Sequence, residues 1–339
     1  MRFSTSAFAP ACTSPNHCEA DPLRLYPDAS DGEAAVTRYR VFPGMELDYR
    51  DVHARACREL RDGSGERLEI HHCLEGRVES RQNGRYFYLS PGDLAVARTS
   101  SLPPDSRFPT GHYHGITVTI DPAAAPECLS CILSDVEVRP AALMEKLCPG
   151  GTVFTARSSR RVKHVFSKLY AVPEDIRKGY LKVKLLELLL FLSTLSPEDG
   201  QTPHGCTAAQ VSLAEQVKAR LLAESDRTLT LKSLSQQFNV SEAQIKSSFA
   251  RVYGMSPAAY ARSQRMHGAA ALLRETDRTV LDIACQFGYD NASKFARAFR
   301  DVIGVSPREY RAGAEYDSCA PQLGEKPVSL SDADVERRI

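Results

Sequence analysis

Phe249-Ala-Arg-Val-Tyr-Gly-Met-Ser-Pro-Ala-Ala-Tyr260 and Phe299-Arg-Asp-Val-Ile-Gly-Val-Ser-Pro-Arg-Glu-Tyr310 are two versions of one segment. The phenylalanine, the glycine, the Ser-Pro pair and the tyrosine all recur at a constant offset of fifty residues. Glycine ends a helix because it adopts the left-handed cap without strain, and the Ser-Pro pair belongs to a tail that both copies share.

Upstream of each tail the pattern is again shared. In the first copy, Leu231-Lys-Ser-Leu-Ser-Gln-Gln-Phe leads through Asn239-Val-Ser241 into a helix over Glu242–Tyr253. Ile245, Phe249 and Val252 fall at inward spacing on it, and Ser241 is its expected N-cap. In the second copy, Val280-Leu-Asp-Ile-Ala-Cys-Gln-Phe is a short helix, Gly288-Tyr-Asp a turn, and Asn291–Val302 a second amphipathic helix with Phe295, Phe299 and Val302 inward. A short helix, a tight turn and an amphipathic helix with a polar outer face make a helix-turn-helix. The chain carries two, joined by a helix expected from Pro257 to Glu275.

These residues resemble the DNA-binding domain of the AraC/XylS family of transcription regulators. The matching positions are Leu234…Phe238-Asn-Val-Ser, Phe249…Gly254-Met-Ser-Pro…Tyr260, Ile283-Ala284…Phe287-Gly-Tyr, Ser293…Phe295…Phe299 and Gly304-Val-Ser-Pro-Arg-Glu-Tyr-Arg. Ser235 stands where the family usually has a small apolar residue, and Asn239 where glycine is frequent. The resemblance implies that the second helix of each motif enters the major groove. It carries base-facing roles onto Ala243, Lys246 and Ser247 in one helix, and onto Ala292, Ser293, Ala296 and Arg297 in the other. Gln244, Asn291 and Lys294 lie on the same polar surfaces, while Arg251 and Arg300 are assigned to phosphate. Arg297 is the foremost candidate for a specific base contact, with solvated face and phosphate contact as its alternatives.

Charge agrees in distribution rather than in total. The chain has 43 Lys+Arg and 42 Asp+Glu, a net charge of +1. From Thr207 to Ala312, however, there are 15 basic and 10 acidic residues, a positive surplus where phosphate would use it. No apolar run resembles a secretory signal or a bilayer span, so a cytoplasmic protein with reduced thiols is expected.

Before this domain the signals are those of β structure. Arg67–Leu74, Gly76–Ser80, the Asn83-Gly84 hairpin turn with its returning strand Arg85–Leu89, the turn Pro91-Gly-Asp93 followed by Leu94–Arg98, and Gly115–Ile120 all read as short strands and turns. Helices follow. Val162, Val165, Phe166 and Leu169 recur at helical spacing, and a helix over about Tyr180–Leu195 has a basic first turn, but its Leu185–Leu192 stretch is apolar on nearly every side, which calls for cover on more than one face. The covers are the barrel and a second subunit, or the helix is the core between two helical layers.

Family members pair the DNA-binding domain with a sensing or dimerising domain, often a cupin-like barrel. The expected fold is α+β and multidomain: an N-terminal cupin-like β-barrel, a helical pair, and an all-α domain with two helix-turn-helix motifs on a connector helix. The expected division is a loosely ordered segment over 1–33, a sensor barrel over 34–138, a helical dimerisation or coupling region over 139–196, a linker over 197–209, the DNA-binding domain over 210–312 and an acidic, disordered tail over 313–339.

His72, Glu75, His112 and His114 are the candidate ligand-binding set. His112 and His114 share a strand face, but adjacent His71 and His72 point to opposite faces. The alternating His pair of a metal cupin is therefore missing from the first strand, and the expectation is a polar pocket lining with no metal and no cofactor. Cys128-Leu-Ser-Cys131 is a lone CxxC, for which buried, unreactive thiols are the default reading. Three functions remain: an effector-modulated regulator of promoter DNA, an architectural binder whose barrel only dimerises, and an enzyme tethered to DNA. The first is expected, with double-stranded DNA, a small-molecule effector, a second copy of the chain and, for an activator, RNA polymerase as partners. The third lacks a nucleophile motif, a phosphate loop or a full metal triad.

Overall fold

The computed structural model describes residues 22–61, 65–82, 84–125, 138–200, 205–223 and 230–319. Contacts divide the chain into two compact units. Residues up to Val217 form one together with Ser235–Met255; Lys218–Leu234 form the other together with the chain from Ser256 onward.

The first unit is built on two antiparallel sheets. The larger contains β1 (Leu23–Leu25), β2 (Glu33–Phe42), β3 (Met45–His53), β5 (Leu68–Gly76), β8 (Leu94–Arg98), β10 (Tyr113–Ile120) and β11 (Phe154–Ala156), in the order β1-β2-β3-β10-β5-β8-β11. The smaller contains β4 (Ala56–Arg58), β6 (Val78–Gln82), β7 (Arg85–Leu89) and β9 (Asp105–Arg107), in the order β4-β9-β6-β7. The expected closed barrel is not formed: the large sheet ends at β1 on one side and β11 on the other. Helices do part of the covering that closure would have done. α1 (Pro140–Leu147), α2 (Arg160–Ser167) and α3 (Arg177–Thr194) bury Leu143, Phe166, Leu185, Leu188 and Leu192 in one core with Leu47, Ile70, Val96, Ile116 and Val118 of the sheet. A second, smaller core joins the two sheets through Val52, Cys57, Cys73, Leu89, Phe108 and Tyr113.

Local chemistry explains several joints. β6 and β7 pair from Val78↔Leu89 to Gln82↔Arg85, a two-residue hairpin whose Gly84 has φ of 73°; Asn83 lies outside the described residues. Asp93, nearly buried, accepts hydrogen bonds from the backbone N–H of Ser90 and Ser158 and from Arg157, fixing the β7–β8 turn against the start of α2. Ser159 caps α2.

Three expected boundaries shift. β1 pairs with β2 at Leu23↔Arg38, so sheet order begins inside the stretch read as loose. Three residues are too few to show a period, which also hid β11. Cys206, in the stretch read as linker, forms a bridge with Tyr86. The last helix, α10 (Pro307–Cys319), runs past the expected start of the tail.

The helices of the segment expected to bind DNA are α4 (Ala208–Ala223), α5 (Leu231–Phe238), α6 (Glu242–Tyr253), α7 (Pro257–Glu275), α8 (Val280–Gln286), α9 (Ala292–Ile303) and α10. In the second unit, Phe295 and Phe299 of α9 are fully buried among Met266, Ala269, Ala270 and Leu273 of α7 and Ile283 and Ala284 of α8. Among the described residues no helix is long and apolar enough to cross a membrane.

Candidate nucleic-acid interface

The expected helix ends at Ser241, Gly254 and Gly304 are formed, and the structure adds two caps. The hydroxyl of Ser241 accepts from the backbone N–H of Gln244 to start α6, and Gly254 ends it in the left-handed region at φ 76°. In the second copy Asn291 accepts from the N–H groups of Ser293 and Lys294, and Gly304 ends α9 at φ 93°. Ser256 caps α7 in the same way, ahead of Pro257. Asn239, in the turn of the first motif, is the one described non-glycine residue at positive φ, 51°. A short polar side chain tolerates that conformation, so asparagine does the work of the usual glycine.

Each of the two helices presents the surface assigned to it. In α6, Ile245, Phe249, Val252 and Tyr253 are buried while Ala243, Gln244, Lys246, Ser247 and Arg251 are exposed. In α9, Phe295 and Phe299 are buried while Ala292, Ser293, Lys294, Arg297 and Arg300 are exposed, as is the cap Asn291; Ala296 is half-buried. Arg297 lies two residues from each phenylalanine and therefore on the opposite side of the helix. Arg300 has Glu309 3.9 Å away, an exposed pair that a phosphate can replace at little cost.

Of the four further positions expected to hold a ligand, Glu75, His112 and His114 lie near one another and His72 stands apart. His72 is buried in the core. Its ring stacks on Phe166, with centroids 4.2 Å apart and planes at 6°, and its Nδ1 lies 2.8 Å from the Tyr170 hydroxyl. Glu75, His112 and His114 sit at one end of β5 and β10, with Glu75 and His112 exposed and His114 half-buried. None of the four lines the main cavity of the unit.

That cavity has a volume of about 560 Å³. Phe87, Leu89, Ala97, Leu102 and Phe154 supply apolar wall; His71, Ser80 and Arg61 supply polar groups. The adjacent histidine, His71 rather than His72, faces it, because neighbouring strand residues point to opposite sides. His71 is held by Thr117 and Glu69. Burial raises the Glu69 carboxyl, but hydrogen bonds and charge from His71 and Arg61 outweigh it and bring it to about 2. Ser80 Oγ is buried with no hydrogen-bond partner. No periodicity could reveal this set, which draws on strands of both sheets and on the segment between α1 and β11. A second cavity, about 490 Å³, is lined by charges that pair with one another: Arg38 with Asp48, Arg50 with Glu59, Arg61 with Glu69.

The wall of the main cavity is continuous with the first motif. β7 carries Phe87 and Tyr88 to the cavity, and Tyr86 on the same strand exchanges both backbone hydrogen bonds with Cys206, two residues before α4. Arg77, at the start of the hairpin, donates through Nη2 to the carbonyl of Arg251 at 2.9 Å, in the last turn of α6. Among the described free cysteines Cys285 is exposed and four others are not. Cys57, Cys73, Cys148 and Cys206 are buried, and burial pushes the first three thiols up to about 11, 12 and 11. Cys128 and Cys131 lie outside the described residues.

Residues 234–313 match a family model described as a helix-turn-helix domain. Over 93 residues, 27% of this chain, the sequence is 32% identical to the transcriptional regulator Rob of Salmonella typhimurium, and the match covers 32% of that protein. The chain thus spans about a third of the length of this curated relative. Over 275 residues it is 24% identical to the arabinose operon regulatory protein of Escherichia coli, covering 76% of this chain and 83% of the relative. Among solved structures, a probable AraC family transcriptional regulator from Rhodopseudomonas palustris is 32% identical over 30% of this chain and 97% of its own, with a TM-score of 0.28.

Proposed function

Because the chain belongs to the AraC family of DNA-binding transcription regulators, we propose that one copy grips two adjacent major-groove segments of an operator, under the control of a small effector held in the first unit. The repeated motif carries this reading. Two helices, each opened by a polar N-cap, closed by a left-handed glycine and anchored by a buried phenylalanine at the fifty-residue offset (Phe249, Phe299), turn a polar, cationic face outward. The connector α7 has 19 residues, and at about 1.5 Å rise per residue it spans roughly 28 Å. That is of the order of the 34 Å or so between successive groove faces on one side of DNA. Selection of duplexes from a random pool, followed by footprinting, tests it. Protection of two segments one helical turn apart per monomer is expected; a single protected segment would refute the bipartite grip.

The effector reading rests on the cavity. Its volume of about 560 Å³ suits a small organic molecule, and the unpartnered Ser80 hydroxyl offers one directional contact in a mainly apolar wall. Occupancy would press on β7, whose neighbours are the chain entering α4 and, through Arg77, the end of α6. A metabolite screen by thermal shift is expected to find compounds that stabilise the wild-type chain and not Leu102→Trp, which fills the cavity from a partly exposed position. Equal stabilisation of both proteins would place the effector elsewhere.

A homodimer fits the outer side of α3. Val183 is 63% exposed, and Leu186 and Leu190 beside it are only half-buried, spaced as one helical stripe. A dimer in solution would double the footprint of the selected site.

A further inference from the structure

The sequence holds two alternating pairs, Asp51-Val-His53 on β3 and His112-Tyr-His114 at the start of β10. The sheet makes them neighbours. β3 and β10 pair with His114 directly across from Asp51 and Tyr113 across from Val52. His112 directly precedes Tyr113, and His53 directly follows Val52. On the other side of β10, His114 pairs with Glu75 of β5. Three imidazoles and two carboxylates therefore share one end of three adjacent strands.

The distances are those of a common ligand shell. Asp51 Oδ1 lies 3.0 Å from His53 Nε2 and 3.5 Å from His114 Nδ1, and one ligand atom from each of the three residues falls within 4.8 Å of the others. Ligands of a tetrahedral zinc at about 2.0–2.1 Å are about 3.3 Å apart. The two rings meet edge-on with centroids 5.3 Å apart. A surface ion pair needs one histidine beside one carboxylate. Several imidazole nitrogens converging with a carboxylate oxygen are also the donor set of a transition-metal ion. His112 is near enough to feel the charges of His114, His53 and Glu75.

We propose that Asp51, His53 and His114 form a site for a divalent transition metal of the zinc, cobalt or nickel kind, with His112 or Glu75 as the fourth protein ligand. Imidazole with carboxylate suits these ions over magnesium or calcium, which prefer all-oxygen shells. Asp51 and His53 are well exposed, so an ion enters without unfolding the sheet. The site stands apart from the cavity. It braces β3, β10 and β5 where β5 turns through Gly76 into Arg77, the residue that reaches α6.

The test is titration of the full chain, kept reduced, with Co²⁺ followed by absorption, and with Zn²⁺ in competition against a chromophoric chelator. The wild-type chain is expected to bind one equivalent of Co²⁺ with a spectrum of nitrogen and oxygen ligands and no thiolate band. His53→Ala/His114→Ala is expected to lose at least tenfold in affinity while melting like the wild type in chelator. Asp51→Asn is expected to weaken binding as well, and this single change keeps the test informative should the double variant fold poorly. Absence of binding by the wild type, equal affinity in the variants, or a thiolate band would overturn the site.

Discussion

Arg297→Ala lowers affinity for the selected operator by about 5- to 150-fold, the equivalent of the ~1–3 kcal/mol carried by a good bidentate base contact, and leaves affinity for scrambled duplex nearly unchanged. The expectation follows from position. Phe295 and Phe299 are fully buried and anchor α9 in the second unit, and Arg297 projects from the other side of the same helix, exposed. Removing it takes away a long cationic fork and leaves the packing intact, so the effect belongs to the interface and not to folding. Fluorescence anisotropy on both duplexes over a range of salt gives the answer. A loss that is equal on the two, with a shallower salt dependence, would mean that Arg297 only holds phosphate. Lys246→Ala in α6 tests the first motif in the same assay.

The first unit loses up to about 3 kcal/mol of stability between pH 6.5 and pH 4, through His72. Burial depresses this imidazole from 6.5 to about 4. The sign follows from proton counting: the unfolded chain binds the proton below 6.5, whereas the folded chain resists it until about 4. Stability is therefore complete above 6.5 and falls as pH drops through that window, by about 1.4 kcal/mol per unit. The geometry explains the resistance. The Tyr170 hydroxyl donates to the carbonyl of His72, so its oxygen receives the Nδ1 proton and fixes the neutral tautomer. Nε2 is buried with no partner, and a second proton there would be an unpaired charge against Phe166. Urea denaturation at pH 7, 6 and 5, reporting on the first unit, is expected to show a slope that His72→Gln flattens. An equal slope in the variant would assign the acid sensitivity to other groups, of which Glu69 loses its contribution only between about 4.5 and 2.

Much of the DNA-binding half was legible because its information is local. Caps, turn residues and the 3.6-residue period are written within a dozen neighbours, so Ser241, Gly254 and Gly304 could be assigned from the chain alone, and the fifty-residue offset tied the two copies together. The first half was legible only as a succession of strands. His72 illustrates the limit: an imidazole among alternating residues looked like a ligand, and it is a packed core group stacked on a phenylalanine more than ninety positions away. Asp51-Val-His53 has the same alternation as His112-Tyr-His114, but nothing in the sequence says that their strands are neighbours.

The amino-acid sequence by itself determined two helix-turn-helix motifs, their inward and outward faces and the class of partner they meet, because each depends on hydrogen bonds and packing between residues close in the chain. Only the tertiary structure decided that the sheets stay open, that His71 rather than His72 faces the cavity, that Cys206 is stitched to the hairpin whose Arg77 reaches the end of α6, and that Asp51 meets His114. Those depend on strand register and on contacts between distant segments, which the order of residues along the chain does not encode locally.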